Sequence, residues 1–345
     1  MLYFGLAAAL VLFACTRFFR RSAGGGGPVR IRVRVTEIRD EAEGIKSFRL
    51  EPDSEDFLPE TTPGCHVSVW PGGRLVRHYS VCNLSNTPDH YRIAVKLEEC
   101  SRGGSQAMHA LRVGDLLEIS SPRNNFELID HAGYYLLLAG GIGITPLLPM
   151  VHELERRGVG YHLHYFTRSL QHTAFRTELS AAYFAGKISF HHDVQPEELE
   201  SLLPELTRPM DDDGHLYMCG PRPFMDAVER AALSALSSDA IHREYFAADP
   251  AAAEGPREAF EVKLARSGQK LVVPADASLL EVLNSNGVFV EHSCQEGICG
   301  TCVTRVLDGQ PDHRDSFLTE AERNSGDRML VCVSRAKTAK LVLEL

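Results

Sequence analysis

The sequence predicts three folded domains in tandem: an antiparallel β-barrel over residues 28–130, a parallel-sheet α/β domain over 131–248, and a small α+β domain over 259–345. Three observations predict this. Short alternating strands with Gly and Pro punctuation fill the first stretch, which suits a barrel or sandwich. A strand–helix–strand pattern with a fully apolar first strand opens the second. A new set of short strands around one helix begins after a segment rich in Ala, Pro and Gly. The length, 345 residues, agrees with two or three domains of roughly 100 to 200 residues each.

Residues 1–27 stand apart. Leu2 to Phe19 is apolar except for polar Thr16 and Arg17, and it stops at Arg20-Arg21. As a helix it reaches roughly 27 Å, just enough for a thin bilayer. All its positive charges follow the apolar run, the reverse of a secretory signal, so the segment reads as an uncleaved anchor with the body on the cytoplasmic side. An acid-free, Arg-rich organelle transit peptide, or a soluble protein with a dispensable extension, are the alternatives. Ala23 to Gly27 is a flexible leash.

In the barrel segment Arg30 to Val35 alternates strictly, and strand-like runs recur at His66–Trp70, His78–Val81 and Tyr91–Val95. Arg77-His78-Tyr79-Ser80 sets a cation, a ring and a hydroxyl along one strand, with Arg77 and Tyr79 on one face. That suits phosphate and ring contacts, and Ser80 has a hydroxyl to offer a polar ligand edge. Arg102-Gly103-Gly104-Ser105 is a loop able to close on a phosphate through its N–H groups.

Tyr134 to Ala139 reads as a strand buried on both faces, Leu147 to Arg157 as a helix and Tyr161 to Phe166 as the next strand. Between the first strand and the helix lies Gly140-Gly141-Ile142-Gly143-Ile144-Thr145-Pro146, whose glycines let backbone approach a pyrophosphate at a helix start. A second strand ends in Cys219-Gly220-Pro221. Parallel strands end on one edge of a sheet, so both turns face one ligand. Residues 249–258 then link to the third domain, with strands at Phe260–Ala265, Lys270–Val273 and Lys340–Glu344 and a helix at Leu279–Ser285.

Four of nine cysteines carry chemistry. Cys294, Cys299 and Cys302 form C-x4-C-x2-C, and Cys332 follows 30 positions later. One loop supplying three thiolates, closed by a distant fourth, is the spacing of a plant-type 2Fe-2S cluster. Zinc is the alternative, but structural zinc sites present two C-x2-C pairs. Gly297 and Gly300 lie where the loop must wrap tightly. Cys15, Cys65, Cys82, Cys100 and Cys219 are scattered, and the whole pattern points to a reducing compartment.

Residues 1–36 hold six Arg and no acid, so the remainder carries 30 basic residues against 46 acidic. Such a body repels nucleic acid. The chain has no Rieske Cys-His pairs and no haem-ligand signature.

Together these motifs make residues 29–345 resemble the phthalate dioxygenase reductase family. The R-x-Y-S motif appears as Arg77 to Ser80, an A-V-K strand as Ala94-Val95-Lys96, and the phosphate loop as Gly103-Gly104-Ser105. The G-G-I-G-I-T-P loop, the C-G-P turn and the four cluster cysteines also match. The resemblance implies an FMN barrel (FAD being the weaker alternative), an NAD domain and a β-grasp ferredoxin domain. Hydride passes from NADH to flavin, with Ser80 and Cys219 at the reacting ring, and single electrons leave through the cluster to a Rieske-type oxygenase. A flavin is needed because hydride carries two electrons and a 2Fe-2S cluster accepts one. Gly141, Gly143 and Thr145 bind the nucleotide with Gly220 and Pro221, and Glu244-Tyr245-Phe246 shields the flavin face. Arg168 and Ser169 leave NADPH open as donor. A membrane quinone or ferric reductase, or a non-catalytic redox sensor, are the competing readings.

Overall fold

The computed structural model describes residues 30–345 except 56, 73–74, 100–102, 211–212, 235 and 250–254. The apolar segment and leash expected over 1–27 lie outside the described residues. Among the described residues no helix is long and apolar enough to cross a membrane.

The first sheet has seven antiparallel strands: β1 (Arg30–Ala42), β2 (Ile45–Pro52), β3 (Cys65–Gly72), β4 (Leu75–Ser80), β5 (Tyr91–Lys96), β6 (Leu116–Ser120) and β7 (Arg123–Asn124). Its order is β4-β3-β6-β1-β2-β5, with β7 beside β3. A bridge from Val81 to Ile93 closes β4 back toward β5, so the sheet curls into a barrel. The alternation that defined β1 decides its sides: Val33 and Val35 are buried in the barrel core while Arg30, Arg32 and Arg34 face water. Helix α1 (Gly104–His109) follows β5, so what reads in sequence as a loop at Gly103 to Ser105 is a helix start.

The second sheet contains β8 (Tyr134–Gly140), β9 (Tyr161–Thr167), β10 (Ile188–His192), β11 (Gly214–Cys219) and β12 (Ile241–Glu244), all parallel, in the order β10-β9-β8-β11-β12. The helices are α2 (Ile144–Arg157), α3 (Arg176–Leu179), α4 (Pro196–Leu206) and α5 (Arg222–Ala232). Tyr135 to Ala139 are fully buried. Leu137 and Ala139 pack with α2, and Leu136 and Leu138 pack on the face of α4 and α5. That two-sided burial is why β8 is apolar throughout. Helix α2 begins three residues before the expected Leu147, because Pro146 sits in the first turn, where its missing N–H leaves no bond unmade.

The third sheet runs β14-β13-β19-β15-β17, built from β13 (Phe260–Leu264), β14 (Lys270–Val273), β15 (Val303–Asp308), β17 (Arg328–Leu330) and β19 (Lys340–Leu343). Strands β16 (Pro311–Asp312) and β18 (Arg335–Ala336) form a separate small ribbon. Helix α6 (Leu279–Ser285) buries Leu279, Leu280 and Leu283 against the sheet and starts with a Ser278–Glu281 capping box. Helix α7 (Glu320–Ser325) repeats that device with Thr319 and Glu322. β13 and β19 pair in parallel at the centre while the other pairings are antiparallel, the mixed arrangement of a β-grasp. Ahead of this domain, Asp249 is tied both to Arg222 of α5 and to Ser316, and Arg314 donates to the Pro256 carbonyl.

Candidate functional site

The cysteine loop runs between α6 and β15. Gln295, Gly297 and Gly300 all adopt left-handed backbone, at φ 56, 75 and 68°. The two glycines have a further reason. A Cβ on Gly297 would lie 2.7 Å from Val333 Cγ2, and one on Gly300 would lie 2.2 Å from the Phe317 ring. The loop is thereby pressed onto the segment 315–333 that delivers Cys332.

Cys299, Cys302 and Cys332 are buried and Cys294 is half-buried. Among the described residues no three His, Cys, Asp or Glu side chains converge on one ion-sized point. The thiols come instead as two hydrogen-bonded pairs, Cys294 with Cys299 and Cys302 with Cys332. The proton in each pair stays with one partner: the hydrogen bond from Cys294 draws Cys299 down to about 5, and the bond from Cys332 lowers Cys302. The Glu296 N–H, which lies 3.3 Å from Cys294 Sγ, adds a donor to sulfur, and Cys299 Sγ lies 3.2 Å from Thr301 Oγ1. Two pairs suit a group with two irons, each taking two thiolates, better than a single tetrahedral ion.

β4 presents the R-H-Y-S residues. In the β3–β4 register Tyr79 faces Val67 and Arg77 faces Val69, on the side of the barrel core. His78 and Ser80 face Ser68 and His66 on the other side. The Arg77 side chain lies over the start of α1, so close that a Cβ on Gly104 would meet its Nε at 2.4 Å. Arg77 and the first turn of α1 thus form one cationic corner. Ser105 is buried and its hydroxyl accepts the Glu98 N–H at 3.1 Å. Ala94 and Val95 are buried on β5, His109 bonds the Val95 carbonyl, and Lys96 pairs with Glu98 at 2.7 Å. Ser80 Oγ is buried with no partner.

The two nucleotide turns meet. Cys219 is in register with Ala139, and a Cβ on Gly143 would stand 2.0 Å from the Cys219 carbonyl oxygen. Gly220 approaches Gly140 so closely that a Cβ would fall 3.0 Å from the Gly140 Cα. Gly141 has φ 54°, and Thr145 is buried with its hydroxyl donating to the Ile142 carbonyl at 3.0 Å. Pro221 leads directly into α5.

Next to Cys219 in the β11–β12 register is Glu244, a half-buried residue whose Oε2 is buried and unpaired. Burial pushes its carboxyl up to about 8 and, with Glu244 beside it, raises the Cys219 thiol well above its usual range, so both are protonated near neutrality. Glu244 also acts on Cys65 of the barrel, which puts this carboxyl at the seam between the two domains. Sequence reasoning grouped Glu244 with Tyr245 and Phe246 as a shield. The structure separates them: Tyr245 packs on Arg222 and bonds Glu229, Phe246 is 40 % exposed, and Glu244 has its Oε2 buried at the seam. A carboxyl oxygen buried without a partner has no sequence signature, because its burial depends on what covers the strand end.

Arg168 is exposed at the end of β9 and Ser169 bonds Gln171 and His172. A cavity of about 440 Å³ lies between β1, β2 and β5 of the barrel and α2 and α3 of the α/β domain. Its cations are matched, Arg92 with Glu178, Arg39 with Glu37 and Arg49 with Glu51, and His152 Nε2 lies 2.7 Å from Glu178 Oε1.

His78, between Arg77 and Tyr79 in the motif, makes a contact that leaves the barrel. Its Nε2 is 3.2 Å from Ser293 Oγ and its Nδ1 is 3.3 Å from Ser68 Oγ. Arg123, Asn125 and Ser293, none of them marked by the sequence, belong to the same contact. Arg123 bonds Thr301 at 3.1 Å and pairs with Glu291, and Asn125 donates to the Cys299 carbonyl at 2.8 Å.

Comparison with known proteins agrees with this geometry. Residues 262–337 match the family of 2Fe-2S iron-sulfur cluster binding domains. The chain is 43% identical over 319 residues to a vanillate O-demethylase oxidoreductase of Pseudomonas sp. (strain HR199 / DSM 7063), covering 91% of this chain and 100% of that protein. It is 40% identical over 313 residues to a phthalate 4,5-dioxygenase oxygenase reductase subunit of Pseudomonas putida, covering 90% and 94%. Among solved structures, phthalate dioxygenase reductase, described as a modular structure for electron transfer from pyridine nucleotides to [2Fe-2S], superposes with a TM-score of 0.65 at 36% identity, covering 92% of this chain and 98% of that one. With its paired cysteines, its glycine turns packed at one sheet edge and its relatives matched nearly end to end, the chain belongs to the phthalate dioxygenase reductase family.

Proposed function

We propose that this protein is the reductase component of an oxygenase system, an oxidoreductase that takes hydride from NADH through FMN to a 2Fe-2S cluster and delivers single electrons to a Rieske-type partner. One observation carries the reading. The strand with the R-H-Y-S motif and the loop with the cluster cysteines, 215 residues apart at His78 and Ser293, are hydrogen-bonded to each other.

Flavin and cluster together turn a two-electron donor into a source of single electrons. The chain's residues supply the rest. Arg77 and the first turn of α1, Gly103 to Ser105, hold the flavin phosphate. The backbone of Ala94 and Val95, Lys96, the ring of Tyr79 and the unpartnered hydroxyl of Ser80 line the flavin ring. Gly141, Gly143 and Thr145 bring backbone N–H groups to the pyrophosphate, and Cys219 with Gly220 and Pro221 places the nicotinamide at the seam. Cys219 and Glu244 stay neutral there, which avoids repelling an incoming hydride. Phe246, half exposed, covers the flavin face. Cys294, Cys299, Cys302 and Cys332 hold the two irons.

The apolar run and glycine leash of residues 1–27 support a membrane tether for this reductase. Full-length protein that fractionates wholly as soluble with its N-terminus intact would remove the tether and leave the reductase standing.

The test of the function is reconstitution. NADH should reduce one FMN and one cluster per chain, and the reduced protein should pass electrons to a Rieske-type oxygenase. Cys332→Ser should abolish cluster binding and cytochrome c reduction yet keep flavin reduction by NADH. Released flavin that runs as FAD, or zinc in place of iron, contradicts the assignment.

A further inference from the structure

Ser68, His78 and Ser293 form a closed triangle of hydrogen bonds. Ser68 Oγ and Ser293 Oγ are 3.1 Å apart, and the His78 ring reaches Ser68 at 3.3 Å and Ser293 at 3.2 Å. Two corners belong to the barrel, and the third is the residue preceding Cys294. A second tie lies beside it: Arg123, on β7, reaches Thr301 and Glu291, while Asn125 holds the Cys299 carbonyl. The cluster loop is therefore held at its start and at its middle by residues of the barrel.

The local chemistry fits a fixed contact. His66 packs edge-on against His78 with centroids 5.4 Å apart. Burial first, then the neighbouring His66, Arg123 and Arg77, lower the His78 ring to about 3 and keep it neutral. A neutral imidazole has one donor and one acceptor nitrogen, which is what two serine hydroxyls require. The charged and titratable groups that act on His78, namely His66, Arg123 and Arg77, are all basic or neutral. The three partners are buried or half-buried, so losing one leaves the others short of a bond.

We propose that Ser293 and Arg123 are positioning residues which, through the Ser68–His78–Ser293 triangle and the Arg123–Thr301 contact, fix the cluster loop against the flavin-motif strand and thereby set the rate of electron transfer between the two sites. This rests on the function given above. The step moves one electron between two bound groups, and no bond forms or breaks, so separation and orientation are what the protein controls. Loosening a supporting contact lets that separation and orientation drift, and the transfer slows with it.

Ser293→Ala, Ser293→Thr and Arg123→Gln, made in the full-length holoprotein, test it by rapid mixing with NADH. Flavin reduction should stay within about twofold of the parent, while the following reduction of the cluster slows roughly tenfold in Ser293→Ala and Arg123→Gln. Ser293→Thr, which keeps the hydroxyl, should recover the parent rate. Hydrogen exchange over residues 291–301 should quicken in the two slow variants and not in Ser293→Thr. Should Ser293→Ala lose iron, Arg123→Gln, altered on the barrel side only, decides the matter. Cluster reduction at the parent rate in Arg123→Gln, or flavin and cluster steps slowed together, overturns the proposal. A parent protein whose flavin NADH does not reduce refutes the reductase function itself.

Discussion

The carbonyl oxygen of Cys219 lies where a side chain on Gly143 would have to be: a Cβ there would be 2.0 Å from that oxygen and 2.7 Å from the Gly220 nitrogen. Both obstacles are backbone, so no rotamer change relieves them. Gly143→Ala should push the two turns apart, costing about 1–3 kcal/mol of stability. The KM for NADH should rise roughly tenfold or more, because both turns belong to one site. Steady-state kinetics alongside thermal unfolding measures both.

Glu244 sets a pH dependence. In the folded chain burial keeps it protonated up to about pH 8, whereas unfolded it ionises near 4.5. Below 4.5 both states hold the proton. Between 4.5 and about 8 only the unfolded chain releases it, so stability falls as pH rises through that window and no further above it. By linkage the fall is at most about 5 kcal/mol. In flavin-stripped protein Glu244→Gln should flatten that slope and raise the unfolding midpoint at pH 8, close to the carboxyl's own value, relative to the parent. A variant that keeps the parent slope would place the titrating group elsewhere.

Gly300 is held by Phe317, whose ring atoms would stand 2.2–2.6 Å from an added Cβ, and by its left-handed φ of 68°. Gly300→Ala should lower the iron content of purified protein without changing its flavin content. Adding Phe317→Ala removes the collision but not the backbone strain of about 1 kcal/mol, so iron should recover in part. Metal analysis and flavin absorbance read the two outcomes separately.

Arg77 and Gly104 share a corner. Arg77→Ala should weaken flavin binding by about tenfold to a hundredfold, the worth of a charge-assisted contact. Gly104→Ala should act more mildly, since the Cβ meets the flexible Arg77 side chain rather than backbone. Fluorescence of released flavin on dilution gives both constants, and equal effects would deny Arg77 a direct part in holding the phosphate.

What the sequence by itself determined is whatever short-range pattern encodes. Alternation placed β1 and its buried valines, and continuous apolarity placed β8. The spacing of Cys294, Cys299, Cys302 and Cys332 named the chemistry of the third domain, because ligand type and loop length are local properties. The start of α2 was misplaced by three residues, since the pattern alone does not show that Pro146 sits inside a first turn. Only the tertiary structure decided the rest. It buried the Glu244 Oε2 without a partner, paired the thiols two by two, set Phe317 against Gly300 and brought His78 to Ser293. Desolvation, clash and hydrogen bonding between residues 215 positions apart depend on which surface covers which, and one chain segment carries no record of the surface folded against it.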